Sequence, residues 1–252
     1  MEKRIKHVIA VASGKGGVGK SSATALIASG LARKGYQVGV MDADITGPSI
    51  PKILGLSGHP EKGENDFINP MVSKGGIKAI SINLLLEDAS QPVIWRGPLV
   101  GKIVGQFFNE VNWGELDFLM IDMPPGTGDV PLTVLQSCDV EGVVMVTTPQ
   151  DLAGMVVGKA VHMTEKMDKK VIGIIENMSY AVCPQCKTVI EIFGESHGDE
   201  LAKKFNLPIL GRLPIDPHFT KLSDQGRLDE YAFGEELDGI IDQIEAFVQK
   251  DS

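Results

Sequence analysis

Cysteine is scarce in this chain: three occur in 252 residues, Cys138, Cys183 and Cys186, too few for the disulfide framework of a small secreted scaffold. No apolar run reaches the roughly 18 residues that a membrane-spanning helix requires. The opening Met1-Glu2-Lys3-Arg4-Ile5-Lys6 passes through a short apolar stretch straight into glycines, which is not a secretory signal pattern. An excess of positive charge is missing too. With 24 Lys+Arg against 33 Asp+Glu the net charge is −9, which argues against a broad nucleic-acid surface. Internal repeats and low-complexity tracts are absent. The expectation is a soluble, cytoplasmic protein whose partners are neither nucleic acid nor membrane.

What is present is apolar residue in quantity, 43% of the chain, enough for one large core, so a single domain over 1–252 is expected. Short β-branched runs at His7–Ser13, Gln37–Met41, Ile77–Leu86, Phe118–Ile121, Gly142–Thr147, Lys170–Ile175 and Pro208–Leu213 read as strands. Helical composition occupies Gly19–Lys34, Leu99–Val111, Ala153–Met167 and His197–Phe205 between them. Near the C-terminus, Leu237, Ile240, Ile241, Ile244, Phe247 and Val248 share one helical face. The alternation predicts an α/β fold, a mostly parallel twisted sheet with helices on both faces. Ser57–Pro70, rich in Gly, Pro and charge, reads as a mobile surface loop.

Between the first strand and the first helix lies Gly14-Lys15-Gly16-Gly17-Val18-Gly19-Lys20-Ser21, which satisfies G-x-x-x-x-G-K-[ST]. The same glycines fit the dinucleotide pattern G-x-G-x-x-G, with Asp42 near the end of the next strand as the ribose-binding acid. Lys20 and Ser21 separate the two readings. A cation and a hydroxyl in the first helical turn are explained if they meet phosphates and Mg²⁺, whereas a dinucleotide does not ask for them. The expectation is a P-loop NTPase whose cradle runs from Gly14 to Ser22, with ATP as ligand and Ser21 on Mg²⁺.

Two further segments fit triphosphate chemistry. Phe118-Leu119-Met120-Ile121 delivers Asp122 to a strand end, where a carboxylate can serve a Mg²⁺ shell; Pro124-Pro125-Gly126 then turns the chain so that the Gly126 amide can sense a terminal phosphate. Asp42-Ala43-Asp44 puts two carboxylates two residues apart near the loop, with Asp44 the candidate for orienting the attacking water.

The run Lys15-Gly16-Gly17-Val18-Gly19-Lys20-Ser21 resembles the deviant Walker A motif of the ATPases that include MinD, ParA and the nitrogenase iron protein. That resemblance implies that Lys15 reaches across a nucleotide-sandwich homodimer to the partner's phosphates. Within the group, Asp42-Ala43-Asp44-Ile45-Thr46-Gly47-Pro48-Ser49, Trp95-Arg96-Gly97-Pro98 and Asp122-Met123-Pro124-Pro125-Gly126-Thr127-Gly128-Asp129 look like the Mrp/ApbC branch, the scaffold or carrier ATPases of iron–sulfur cluster assembly. The motifs match in order over nearly the whole chain. By the same resemblance Asn177, Pro214 and Asp216 are the base-contacting positions, although a strand-end asparagine and a turn aspartate also arise for local hydrogen-bonding reasons. Arg96 either reaches the partner subunit or holds its own loop. Opening directly on the first strand, the chain is not expected to make contacts that a small preceding domain makes in many relatives.

Cys183-Pro184-Gln185-Cys186 falls in an insertion at about 179–193, before the strand-like Thr188–Phe193. Soft thiolates suit an iron–sulfur cluster or Zn²⁺, but both want four protein ligands and one chain offers two, which suggests a site shared across a twofold axis. The family resemblance implies a bridging [4Fe-4S] cluster. Zn²⁺ is the competitor, held by four shared thiolates or by two with His197. A thioredoxin-like pair is disfavoured because no helix start follows to stabilise a thiolate, and Cys138 reads as a small core residue. The expected function is an ATP-hydrolysing iron–sulfur carrier serving acceptor apoproteins. The contrasting reading is a MinD/ParA-like positioning ATPase with structural zinc at its dimer interface. Against a membrane role, the acidic C-terminal helix lacks a basic polar face.

Overall fold

The computed structural model describes residues 4–45, 47–63, 67–85, 97–150, 152–232 and 234–250. Strands β1 (Arg4–Ser13), β2 (Val38–Asp42), β3 (Met71–Val72), β4 (Lys78–Ile80), β5 (Glu115–Asp122), β6 (Gly142–Thr147), β7 (Lys170–Glu176) and β10 (Ile209–Arg212) form one sheet in the order β10-β7-β6-β1-β5-β2-β4-β3. All its pairings are parallel except β3 with β4. Their fully buried β-branched runs, such as Val143-Val144-Met145-Val146, suit strands covered on both faces. A separate hairpin joins β8 (Ala181–Val182) to β9 (Val189–Ile190).

Each face has its own apolar layer. On one side α3 (Gly97–Asn109), α4 (Asp129–Ser137) and α5 (Leu152–Lys166) pack residues such as Phe107, Val134 and Val161 against Ala10, Ile121 and Met145. On the other, α1 (Lys20–Arg33), α2 (Ile50–Ile53) and α8 (Glu235–Lys250) cover Ile9, Val40, Met120 and Val144. Helix α8 buries Leu237, Ile240, Ile241, Ile244 and Val248, the stripe that the 3.6-residue period predicts. It approaches α1 at Gly30, where a Cβ would lie 2.1 Å from Ile241 Cδ1. Helix α6 (Gly198–Phe205) lies beside β7 and β10, and α7 (Pro217–Asp224) follows β10.

The α/β expectation holds, with several local differences. Of the strand expected over Ile77–Leu86, whose last residue lies outside the described residues, Lys78–Ile80 pairs and the chain then tightens into a 3₁₀ turn at Ile82–Leu84, where the Ser81 hydroxyl bonds the Asp42 carboxyl at 3.1 Å. Of Thr188–Phe193, only Val189–Ile190 pairs. Helices α4 and α7 carry weak sequence signals, being short and containing Pro131 and Pro217 in their first turns. In the stretch Ser57–Pro70, of which 64–66 lie outside the described residues, Ile68 bridges Lys62 on one side and Val111 on the other. Trp95 and Arg96 lie outside the described residues.

Truncating Ile241 to Ala should cost about 2–5 kcal/mol, as for other fully buried large-to-small changes. Urea unfolding with an unchanged m-value is the check, and a loss below about 1 kcal/mol, half the lower end of that class, would contradict the packing of α8 on α1.

Candidate functional site

Parallel register creates the site. Asp122 at the end of β5 pairs with Asp42 at the end of β2 and with Val11 of β1, so the carboxylates emerge where the chain leaves β1 for the glycine loop. Gly16 and Gly17 are exposed at the crest of that loop, while Val18 is buried in the α1-side layer. Gly19 ends the loop at φ 77°, and a Cβ there would fall 2.1 Å from Asn177 Nδ2, so both conformation and space demand glycine. No side chain caps α1, which leaves its first amides for an anion.

Lys20 is buried and donates to Asp122 Oδ1 at 2.6 Å; its Nζ lies 3.9 Å from Asp44 Oδ2. Ser21 donates to Asp122 Oδ2 at 2.5 Å, and Thr24, one turn further along α1, donates to Oδ1 at 3.0 Å. Asp42 accepts from the Asp44 amide, the Ile50 amide and the Ser81 hydroxyl. Burial above all, and then the negative charge of Asp122, push the Asp42 carboxyl up to about 8, against the pull of Lys20. Asp42 is thus biased toward its protonated form relative to an ordinary aspartate, and Lys20 faces Asp44 and Asp122. A buried ammonium and buried carboxylates are tolerable only when paired in this way.

The other expected residues divide. Lys15 donates to Gln150 Oε1 at 3.0 Å. Asp44 accepts from the Gly47 amide at 3.2 Å. The Gly126 amide, expected to face a phosphate, instead donates to the Ser13 carbonyl at 2.9 Å, because the Pro124-Pro125 turn folds back on β1. Ser22, Asn177, Pro214 and Asp216 line one cleft of about 200 Å³ with Leu26, Phe219 and Tyr231. Asn177 bonds the Val18 carbonyl at 2.9 Å. Both Asp216 oxygens are engaged, one capping α7 through the His218 amide at 2.8 Å and one accepting from Tyr231 at 2.6 Å. Asp216 thus has a local structural role in addition to lining the cleft.

Sequence reasoning missed Thr24, Ser81, Gln150 and Tyr231. Thr24 had a signal, since it sits four residues after Lys20 on the same helical face; Gln150 and Tyr231 arrive from distant elements and had none.

Cys183 and Cys186 sit in the β8–β9 hairpin, where the Cys183 amide donates to the Thr188 carbonyl at 2.9 Å. The Thr188 hydroxyl lies 3.1 Å from Cys186 Sγ. Hydrogen bonds from Thr188, with a smaller one from Cys183, draw the Cys186 thiol down to about 7, toward the thiolate that metals bind. Val182, Val189, Ile190, Ile192 and Phe193 surround the pair as an exposed apolar patch. Among the described residues no third His, Cys, Asp or Glu joins them. The zinc site completed by His197 is therefore not formed within one chain; His197 instead lies 3.6 Å from Glu200 on its own helix.

A glycine loop closing on a helical lysine and serine, with a strand-end aspartate behind them, defines a P-loop nucleotide-binding protein on a parallel sheet. The family model described as ParA: NUBPL iron-transfer P-loop NTPase matches residues 4–247, and the chain belongs to that family. An iron-sulfur cluster carrier protein of Methanocaldococcus jannaschii is 48% identical over 88% of this chain and 77% of its own length. One from Clostridium perfringens is 44% identical over 94% and 86%. A nucleotide-binding protein of Archaeoglobus fulgidus, solved in complex with ADP, superposes with TM-score 0.82 and 44% identity, covering 92% of this chain and 90% of that one. MinD of Pyrococcus horikoshii shares the fold at TM-score 0.72 and 17% identity, over 98% and 99% of the two chains. No helix among the described residues is long and apolar enough to cross a membrane.

The raised Asp42 carboxyl gives a pH test. The folded chain keeps a proton that the unfolded chain, with an ordinary carboxyl at 3.8, releases, so the contribution of Asp42 to stability declines as pH rises from about 4 to about 8 and is level above that. Asp42→Asn should flatten the unfolding free energy across that window. Parallel wild-type and variant profiles would disprove the assignment.

Proposed function

We propose that the chain is a Mg²⁺-dependent, slow ATPase that carries an iron–sulfur cluster as cargo between two copies of itself and delivers it to acceptor apoproteins in the cytoplasm. The observation that carries this reading is the coexistence in one chain of a phosphate loop and a two-thiol hairpin that no further His, Cys, Asp or Glu joins among the described residues. Each site lacks what a second copy would add. Lys15 of the loop bonds Gln150 at its exposed end, and two thiolates are half of a cluster's complement.

The residues present fit Mg²⁺. Ser21 and Asp122 are hard oxygen ligands beside the loop, and Mg²⁺ is held by one or two protein groups together with phosphates and water. When bound, the ion would neutralise charge on the phosphates. In the reading advanced here, Lys20 leaves Asp122 to bind phosphate, the loop amides of Gly14 to Gly19 cradle the anion, and Asp44 orients the attacking water. Lys15 of each chain stabilises charge developing on the other's phosphates. Asn177, Pro214 and Asp216 line the base site.

Lys20→Ala should abolish ATP binding in calorimetry. Lys15→Ala should keep it and lower turnover about 10²- to 10³-fold, the usual loss for one transition-state contact. An unaltered ATP affinity in Lys20→Ala would remove the loop from the reading. Anaerobic reconstitution with iron and sulfide should give a dimer with cluster absorbance that Cys183→Ala or Cys186→Ala loses. Zinc instead of cluster in anaerobic preparations, with no transfer to an apoprotein, would favour the positioning ATPase with a structural zinc.

A further inference from the structure

Glu176 is a fully buried carboxylate at the end of β7, and neither the phosphate loop nor the cysteine pair accounts for it. Its Oε2 accepts from the Ser179 hydroxyl at 2.5 Å, and its Oε1 accepts from the Ser196 hydroxyl at 2.8 Å. These serines stand at the two ends of the segment that carries the β8–β9 hairpin and both thiols. One carboxylate therefore holds both feet of the cysteine finger. Ser196 in turn accepts from the Gly198 amide that opens α6, at 3.2 Å. Arg212 of β10 sets its Nε 3.6 Å from Glu176 Oε2 and donates through Nη2 to Asp199 at 2.8 Å.

The residue next to Glu176 belongs to the nucleotide side. Asn177 bonds the loop carbonyl of Val18 and sits against Gly19, and the Asn177 amide is fixed to the Thr147 carbonyl of β6 at 2.8 Å. Between Asn177 and Ser179, Met178 adopts a left-handed φ of 56°, a single joint between two anchored neighbours. The far side is tied as well, since Ser179 donates to the Leu213 carbonyl at 2.9 Å and Ile215 to the Tyr180 carbonyl at 2.6 Å. Leu213 lines the same cleft as Asn177 and Asp216.

We propose that Glu176 is a positioning residue that couples nucleotide occupancy to the cysteine pair, by fixing both feet of the finger to the strand end whose next residue touches the phosphate loop. The inference rests on the nucleotide-binding reading above. A buried carboxyl group must keep its hydrogen-bond partners, because losing one leaves a polar atom unsatisfied in a low dielectric. A shift of Asn177 that follows ligand entry is accordingly passed through the Met178 joint to the serines, and the finger moves as a unit.

The test is the rate of maleimide labelling of Cys183 and Cys186 in the full, metal-free chain, with and without Mg-ATP, alongside ATP affinity by calorimetry. Wild type should show an ATP-dependent change of about fivefold or more, the lower end of ordinary coupling between sites. Ser196→Ala and the shape-preserving Glu176→Gln should each lose most of that change while ATP affinity stays within about twofold, a small fraction of such coupling. Ser196→Thr, which keeps the hydroxyl, should restore it, a rescue that loss of stability alone would not produce. ATP binding by wild type with no change in labelling, or a full change in both variants, overturns the coupling. Failure of wild type to bind ATP would instead strike the reading on which it rests.

Discussion

Much of this structure depends on one buried ammonium. Lys20 is the cation closest to the carboxylates that β2 and β5 deliver to the same edge of the sheet, and it touches Asp122 at 2.6 Å and approaches Asp44 at 3.9 Å. Without it those acids would have to be neutralised or drawn out to water. Burial and the Asp122 charge raise the Asp42 carboxyl against the pull of that lysine. The same lysine, the serine beside it and the threonine one turn on all donate to Asp122. Helix α1 and the end of β5 are therefore joined by three hydrogen bonds to one carboxyl group.

The carboxyl edge of the sheet is also where the two chemistries meet. β1 feeds the glycine loop and β7 feeds the cysteine hairpin, and β6 alone lies between them. The thiols are thus not on an independent module; their hairpin starts a few residues beyond a strand whose next side chain packs on Gly19. Short connections and shared strand ends bring the two sites together, and Glu176 bonds both serines that flank the hairpin.

The fold was largely legible because period and punctuation agreed. Buried β-branched runs marked the parallel strands, the six-residue apolar stripe marked α8, and Gly14 to Ser21 marked the nucleotide loop. What escaped notice were features fixed by partners far away in sequence. Ser81 bonds Asp42 where its strand ends, a pairing no local pattern announces. Asp216, expected to meet a ligand, is also recruited by His218 and Tyr231. The Gly126 amide is taken by Ser13. A motif names the residue types a site needs, whereas long-range packing decides where their hydrogen bonds go.

Asp42 and Asp122 pair across adjacent strands, and both turn toward α1, on whose face lie Lys20 and Thr24. Their chain neighbours Met41, Ala43, Ile121 and Met123 turn to the opposite, wholly apolar layer. Sliding β2 by one residue would exchange these sets and drive a carboxylate into hydrocarbon with no cation to meet it. The acids at this edge of the sheet therefore also help to fix the register of β2 against β5.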